Sequence, residues 1–233
     1  MKSGGDRQER PEKDRMKITI TRNGPYIVTG SIPLSVMEIS CDNKGYGQSW
    51  RMVKEFPVQE QYALCRCGRS GNKPFCDGTH AKIGFDGTET AGNEPFLRDP
   101  EITRGPDLEL VDYHGICAHA RFCMRAGTIW ELTERSDDRQ AKETAIKEAG
   151  NCPSGRLVLR DRKTGTPIEP ELEKSVVVIE NPSRGEHGPL WVRGGILVVS
   201  ADGKPYTVRN RLTLCRCGKS CNKPFCDGSH VQH

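Results

Sequence analysis

"CRCGRSGNKPFCDGTH", residues 65–80, gathers three cysteines and a histidine into one stretch with almost nothing apolar. A second stretch, "CRCGKSCNKPFCDGSH" at 215–230, repeats it at thirteen of sixteen positions. The repeat reaches upstream: "GPYIVTGSIPL" at 24–34 is similar to "GPLWVRGGILV" at 188–198. The offset is 164 between those stretches (188 against 24) but 150 at the cysteines (215 against 65). The first copy therefore holds about fourteen extra residues, which this reading puts within "EISCDNKGYGQSWRMVKEF". A second extended run follows in each copy, "FPVQEQYALC" at 56–65 and "KPYTVRNRLTLC" at 204–215. Gly-bounded, β-branched stretches of this kind predict small antiparallel sheets that deliver their cysteines onto a loop.

Composition asks what holds such loops in place. Only 34% of the 233 residues are hydrophobic and 6% aromatic, a thin supply for a core, while 25 glycines and 15 prolines favour short strands and turns. Bound metal is one staple that makes up for little apolar burial. Eleven cysteines would also suit disulfides, but "MKSGGDRQERPEKDRMK" has no apolar run and does not read as a signal peptide. No stretch reaches the roughly 20 apolar residues of a membrane span. The expectation is a cytoplasmic protein whose clustered Cys and His ligate metal, behind a disordered charged tail over 1–16. A net charge of +4 from 35 basic and 31 acidic residues, with no basic stripe interleaved with aromatics, argues against nucleic acid as a partner.

In each copy the ligand spacing is C-x-C-x8-C-x3-H: Cys65, Cys67, Cys76 and His80, then Cys215, Cys217, Cys226 and His230. Three thiolates and one imidazole suit zinc or iron–sulfur. Structural zinc usually takes a C-x2–4-C pair, whereas a binuclear cluster needs two ligand pairs set apart, so the spacing leans to iron and leaves zinc open. Asp77 and Asp227 read as N-caps of a helical start that sets the last Cys and the His side by side, and Gly78 and Gly228 as close backbone approaches. The whole string, with Ser70/Ser220, Pro74/Pro224 and the C-D-G-[ST]-H end, resembles the CDGSH iron–sulfur domain, the family of the mitoNEET-like proteins. The resemblance implies a [2Fe–2S] cluster on each quartet, the C-x-C pair holding the inner iron and the last Cys and His the outer, more exposed one. It also implies an intertwined two-fold pair, here formed within one chain. Cys221 stands where the other copy has Gly71, so the shared chemistry does not need it, and Cys41 has no motif around it; both read as free thiols. Arg66/Arg216 and Lys73/Lys223 read as solvated side chains.

Between the copies lies an unrelated segment, 103–182. "SDDRQAKETAIKEAG" predicts a helix with Ser136, Asp137 or Asp138 as N-cap and Gly150 as stop; "SVVVIE" at 175–180 predicts a strand, and "NPSRGEHGP" at 181–189 a linker in which His187 is solvated. Cys117, Cys123 and Cys152-Pro153 keep the outer cysteines and the remote Cys-Pro of a ferredoxin run, with Ala120 at the middle position. "CAHARFC" and "CPSG" are similar to the divergent 4Fe–4S mono-cluster domain, which implies a third cluster, [3Fe–4S] on three cysteines or [4Fe–4S] with His119 as the nearest fourth ligand and His114 behind it.

The expected fold is α+β: a first CDGSH half over 17–95, a ferredoxin-like insertion over 103–182, and a second half over 183–233. No nucleophile–base pair, phosphate loop or dinucleotide fingerprint is visible, so the expected work is electron transfer, cluster transfer or redox sensing rather than catalysis. The expected partner is a redox or cluster-acceptor protein, and the chain is expected to be a monomer. The rivals are a zinc-binding interaction module and a catalytic oxidoreductase component.

Overall fold

The computed structural model describes residues 16–92 and 99–232; the expected tail, apart from Met16, lies outside the described residues. The first part contributes β1 (Lys17–Ile20), β2 (Tyr26–Thr29), β3 (Leu34–Cys41), β4 (Gly47–Glu55), β5 (Gln61–Leu64) and the short helix α1 (Thr79–Lys82). The middle part holds β6 (Glu101–Arg104), β7 (Leu108–Asp112), α2 (Ile129–Glu134), α3 (Arg139–Gly150), β8 (Leu157–Asp161) and β9 (Pro167–Ile168). The last part is β10 (Ser175–Asn181), β11 (Glu186–Arg193), β12 (Leu197–Val199) and β13 (Arg211–Leu214). The fold is α+β, with strand outweighing helix.

The two copies are built on one plan. In the first sheet the order is β12-β1-β2-β5, and in the second β13-β11-β10-β3-β4. Each half supplies three antiparallel strands and receives one from the other half as a parallel neighbour: β12 runs beside β1, and β3 beside β10. Tyr26 pairs with Leu64 as Leu190 pairs with Leu214, the register required by the two sequence offsets. The extra residues of the first copy are the β3–β4 hairpin. The halves are thus interlocked within the chain by strand exchange.

β10 lies in the second sheet, hydrogen-bonded to β11 and β3, so the boundary expected at 182/183 falls inside the second half. The 181–189 stretch is accordingly no linker. It is a hairpin turn, one 3₁₀ turn over Pro182–Arg184, joining β10 to β11. The run Val176–Ile179 is apolar at every position because both of its faces are covered. Val176 and Val178 join Val28, Leu64, Leu190 and Leu214 in the core between the two sheets. Val177 and Ile179 face the other way, against Ala120 and Phe122 of the middle part.

The middle part has its own sheet, β6-β7-β8-β9, and its own core, in which Ala141, Ala145 and Ala149 of α3 pack on Leu108, Leu110 and Leu159. Asp138 is the N-cap of α3, accepting from the Ala141 N–H at 2.7 Å. Ser136 instead accepts the Asp107 and Leu108 N–H groups. Gly150 is the last helical residue, not the residue beyond it. Helix α2 was not expected. Its signal is the capping box Thr128–Glu131, each side chain bonded to the other residue's N–H. Among the described residues no helix is long and apolar enough to cross a membrane.

Candidate metal centres

β5 and β13 each end in a loop that folds back on its own strand. Cys65 N–H donates to the Pro74 carbonyl at 2.8 Å and Cys76 N–H to the Ala63 carbonyl at 2.9 Å; Cys215–Pro224 and Cys226–Thr213 repeat both distances. Inside each loop the serine hydroxyl donates to the Phe75 or Phe225 carbonyl at 2.7 Å and accepts the Asn72 or Asn222 N–H at 3.0 Å. Asp77 and Asp227 act somewhat differently from the expected caps. Asp77 accepts the Thr79 and Gly71 N–H groups, and the N-cap of α1 is Gly78, with no side-chain cap. These hydrogen bonds, Thr79's first, hold the Asp77 carboxyl well below its usual range. Gly78 and Gly228 both have left-handed φ, 85° and 91°, which glycine adopts without strain.

The loops bring the ligands together in pairs. Cys65 and Cys67 Sγ are 3.8 Å apart, Cys215 and Cys217 3.6 Å. His80 Nδ1 lies 3.3 Å from Cys76 Sγ, and His230 Nδ1 3.4 Å from Cys226 Sγ. No three ligand atoms of either quartet lie within 4.8 Å of one another. One zinc holds four ligands at about 2.0–2.3 Å, which crowds all of them together; two pairs set apart suit two irons.

The surroundings favour anionic sulfur at some positions and withhold it at others. Hydrogen bonding with Cys217, and then with loop N–H groups, holds the Cys215 thiol below its usual range against the pull of burial. Cys217 is pushed up by the same bond and by burial. Burial pushes Cys226 up and holds the His230 imidazole down at about 4, so that ring is neutral at pH 7 and has a lone pair for a metal. Arg66 and Arg216, expected in solvent, are 2% and 8% exposed. Arg66 donates to the Gly87 carbonyl at 2.6 Å, and Arg216 to the Gly188 and Ile179 carbonyls and to Glu180. Their cysteine neighbours in the sequence gave no hint of this, because the carbonyls they bond come from distant parts of the chain. The C-x-C loops also touch each other: a Cβ on Gly68 would meet the Cys217 carbonyl oxygen at 2.6 Å, and one on Gly218 the Cys67 oxygen at 2.8 Å.

In the middle part, Cys117, His119, Cys123 and Cys152 line one cleft with Pro153 and Arg156. Burial, then the neighbouring Cys152 and Cys117, pushes Cys123 up to about 12. No three of these four ligand atoms lie within 4.8 Å of one another, which suits a polynuclear cluster that takes each ligand on a separate iron better than a single ion. His114 is not at the cleft; it sits with Glu101 (2.9 Å), Asp112 (3.3 Å) and Arg156 (2.7 Å). His187 is exposed and bonds Glu180 at 2.7 Å. Cys221 is exposed, and Cys41 lies 3.6 Å from Asn181 Oδ1 and packs against the cluster that holds Ala120 and Phe122.

Two comparisons bear on this arrangement. A family model described as iron-binding zinc finger, CDGSH type, matches residues 23–81 and 187–231. A second, described as divergent 4Fe–4S mono-cluster, matches 103–162. No curated protein matches the chain.

Proposed function

The chain carries two CDGSH-type iron-binding regions around a divergent 4Fe–4S domain and is an iron–sulfur protein; from that premise we propose that it holds two [2Fe–2S] clusters and a third, ferredoxin-like cluster, and works as an electron or cluster carrier rather than as an enzyme. Cys65, Cys67, Cys76 and His80 hold one binuclear cluster, and Cys215, Cys217, Cys226 and His230 the other. Cys117, Cys123 and Cys152 hold the third, as [3Fe–4S] or, with His119, as [4Fe–4S]. When bound, such clusters take up and release single electrons. The observation that carries the reading is the disposition of each quartet as two close pairs rather than one tetrahedron.

The protein's own part is support. The loops enclose three of the four C-x-C thiols, Cys65, Cys67 and Cys215 at 3%, 6% and 2% exposure, with Cys217 half-buried, which keeps water from most of the sulfur. Gly78 and Gly228 N–H groups point at Cys76 and Cys226 Sγ at 3.5 and 3.4 Å; hydrogen bonds to cluster sulfur raise the potential. The partner on this reading is a redox or cluster-acceptor protein, met by a monomer.

The test is to replace His80 with Cys. A thiolate in place of a neutral imidazole adds negative charge, so one [2Fe–2S] potential falls by on the order of 100 mV while the signal itself persists. Voltammetry that finds both potentials unmoved would show that His80 does not ligate iron.

A further inference from the structure

The two CDGSH motifs share ligands and loop hydrogen bonds but not surroundings. In the first, Cys76 and His80 are only partly covered, and α1, which carries His80, buries none of its residues. In the second, Cys226 is 3% and His230 8% exposed. The cover comes in part from the middle part of the chain. A Cβ built on Gly228 would fall on the His119 ring, 2.5 Å from Nε2, and 3.0 Å from the Cys117 carbonyl oxygen; on Gly78 it would meet nothing within 4 Å. The glycines share the same backbone conformation, so the difference is the presence of the Cys117–His119 stretch over one of them. That stretch is anchored. Next to it, Ala120 and Phe122 are buried against β10 and Trp191, and Arg121 reaches Glu186 at 4.0 Å.

We propose that Cys117–His119 is a fixed lid over the outer ligand pair of the second CDGSH motif, and that it makes the two motifs unequal: the second keeps its cluster out of reach, and the first, open around His80, is the one a partner protein can meet. The inference rests on the iron–sulfur reading above. Its consequence is specific to this chain, since two identical halves would leave both outer pairs equally open. His119 acts here by position, as the piece that closes the second site. Its own backbone is left-handed, φ 54°, so glycine can replace it without strain.

Bipyridine, a ferrous chelator, added to the dithionite-reduced full-length protein at fixed pH reads the difference as bleaching of the visible bands. The wild-type chain should bleach in two phases from its [2Fe–2S] centres. Cys226→Ser, which leaves the first centre, should keep the fast phase. Cys76→Ser, which leaves the second, should keep the slow one, at least tenfold slower. Adding His119→Gly to Cys76→Ser should speed that phase several-fold. As an independent check, Gly228→Ala, whose new methyl collides with the lid, should speed release from the second centre far more than Gly78→Ala speeds it from the first. A single wild-type phase with equal rates in the two Cys→Ser variants would overturn the inference, as would a slow phase that ignores both His119→Gly and Gly228→Ala. A colourless protein would overturn the iron–sulfur reading itself, whereas coloured protein with equal rates overturns only the lid.

Discussion

Glu148, on α3 within "AIKEAG", is fully buried. One carboxylate oxygen accepts the Ala126 N–H at 2.9 Å, and the other has no hydrogen-bond partner among the described residues. Burial pushes the carboxyl up to about 7 from 4.5. The folded state therefore holds a proton that the unfolded chain releases near pH 4.5. The stability that this group contributes is fully present below that value and is lost as pH rises from 4.5 to about 7, by on the order of 1–3 kcal/mol. Glu148→Gln keeps the acceptor for Ala126 and removes the ionisation. Denaturant unfolding at pH 5 and pH 8 should show a smaller loss in the variant than in the wild type; an equal loss would place the titration elsewhere. The ligands were legible in the sequence. Eight of them fall in two near-identical strings, and a motif carries its geometry locally. Glu148 depends on the Phe122–Met124 turn packing over α3, which no local pattern announces.

At the scale of elements, alternation and turn chemistry pointed to the strands flanking each motif, and Asp138 and Gly150 marked the ends of α3 to within a residue. What escaped was partnership between distant elements. "SVVVIE" reads as a strand but not as one that leaves the middle part to join β3, because a strand's sequence records how its faces are covered and not by whom. The capping box of α2 was legible and passed over, since six residues give little periodicity. Partnership also explains Arg211, which is 1% exposed on β13. It pairs with Glu169 at 2.9 Å and donates to the Cys152 carbonyl at 2.8 Å, to Leu157, and to Ala149 at the end of α3. It ties the second half to the ligand-bearing turn of the middle part. Arg211→Met removes these bonds, leaving Ala149 and Cys152 only their local N–H donors and Glu169 only the Asn210 amide, at a cost of about 2–4 kcal/mol. Thermal unfolding together with iron content should show lower stability and loss of iron from the middle site. Full stability with full iron would remove Arg211 from that role.

For the whole molecule, strand exchange means that neither half is complete alone. A fragment spanning 172–233 keeps its motif but loses β3 from the edge of β10 and β1 from the edge of β12. Open edges of this kind pair with other chains, so light scattering should find the fragment self-associated or aggregated; a folded monomer that retains its colour would argue that the exchange is dispensable. The same interlock sets the two C-x-C loops against each other, and the middle part sits beside the second motif, so the three candidate centres are neighbours in one frame. The central claim is that each Cys3His quartet holds a pair of irons and not one ion. Counting iron, acid-labile sulfide and zinc on anaerobically purified protein tests it most directly. The account predicts more than four irons per chain, sulfide in step with them and no zinc, with Cys152→Ser removing only the excess above four; two zinc ions per chain and no sulfide would contradict it.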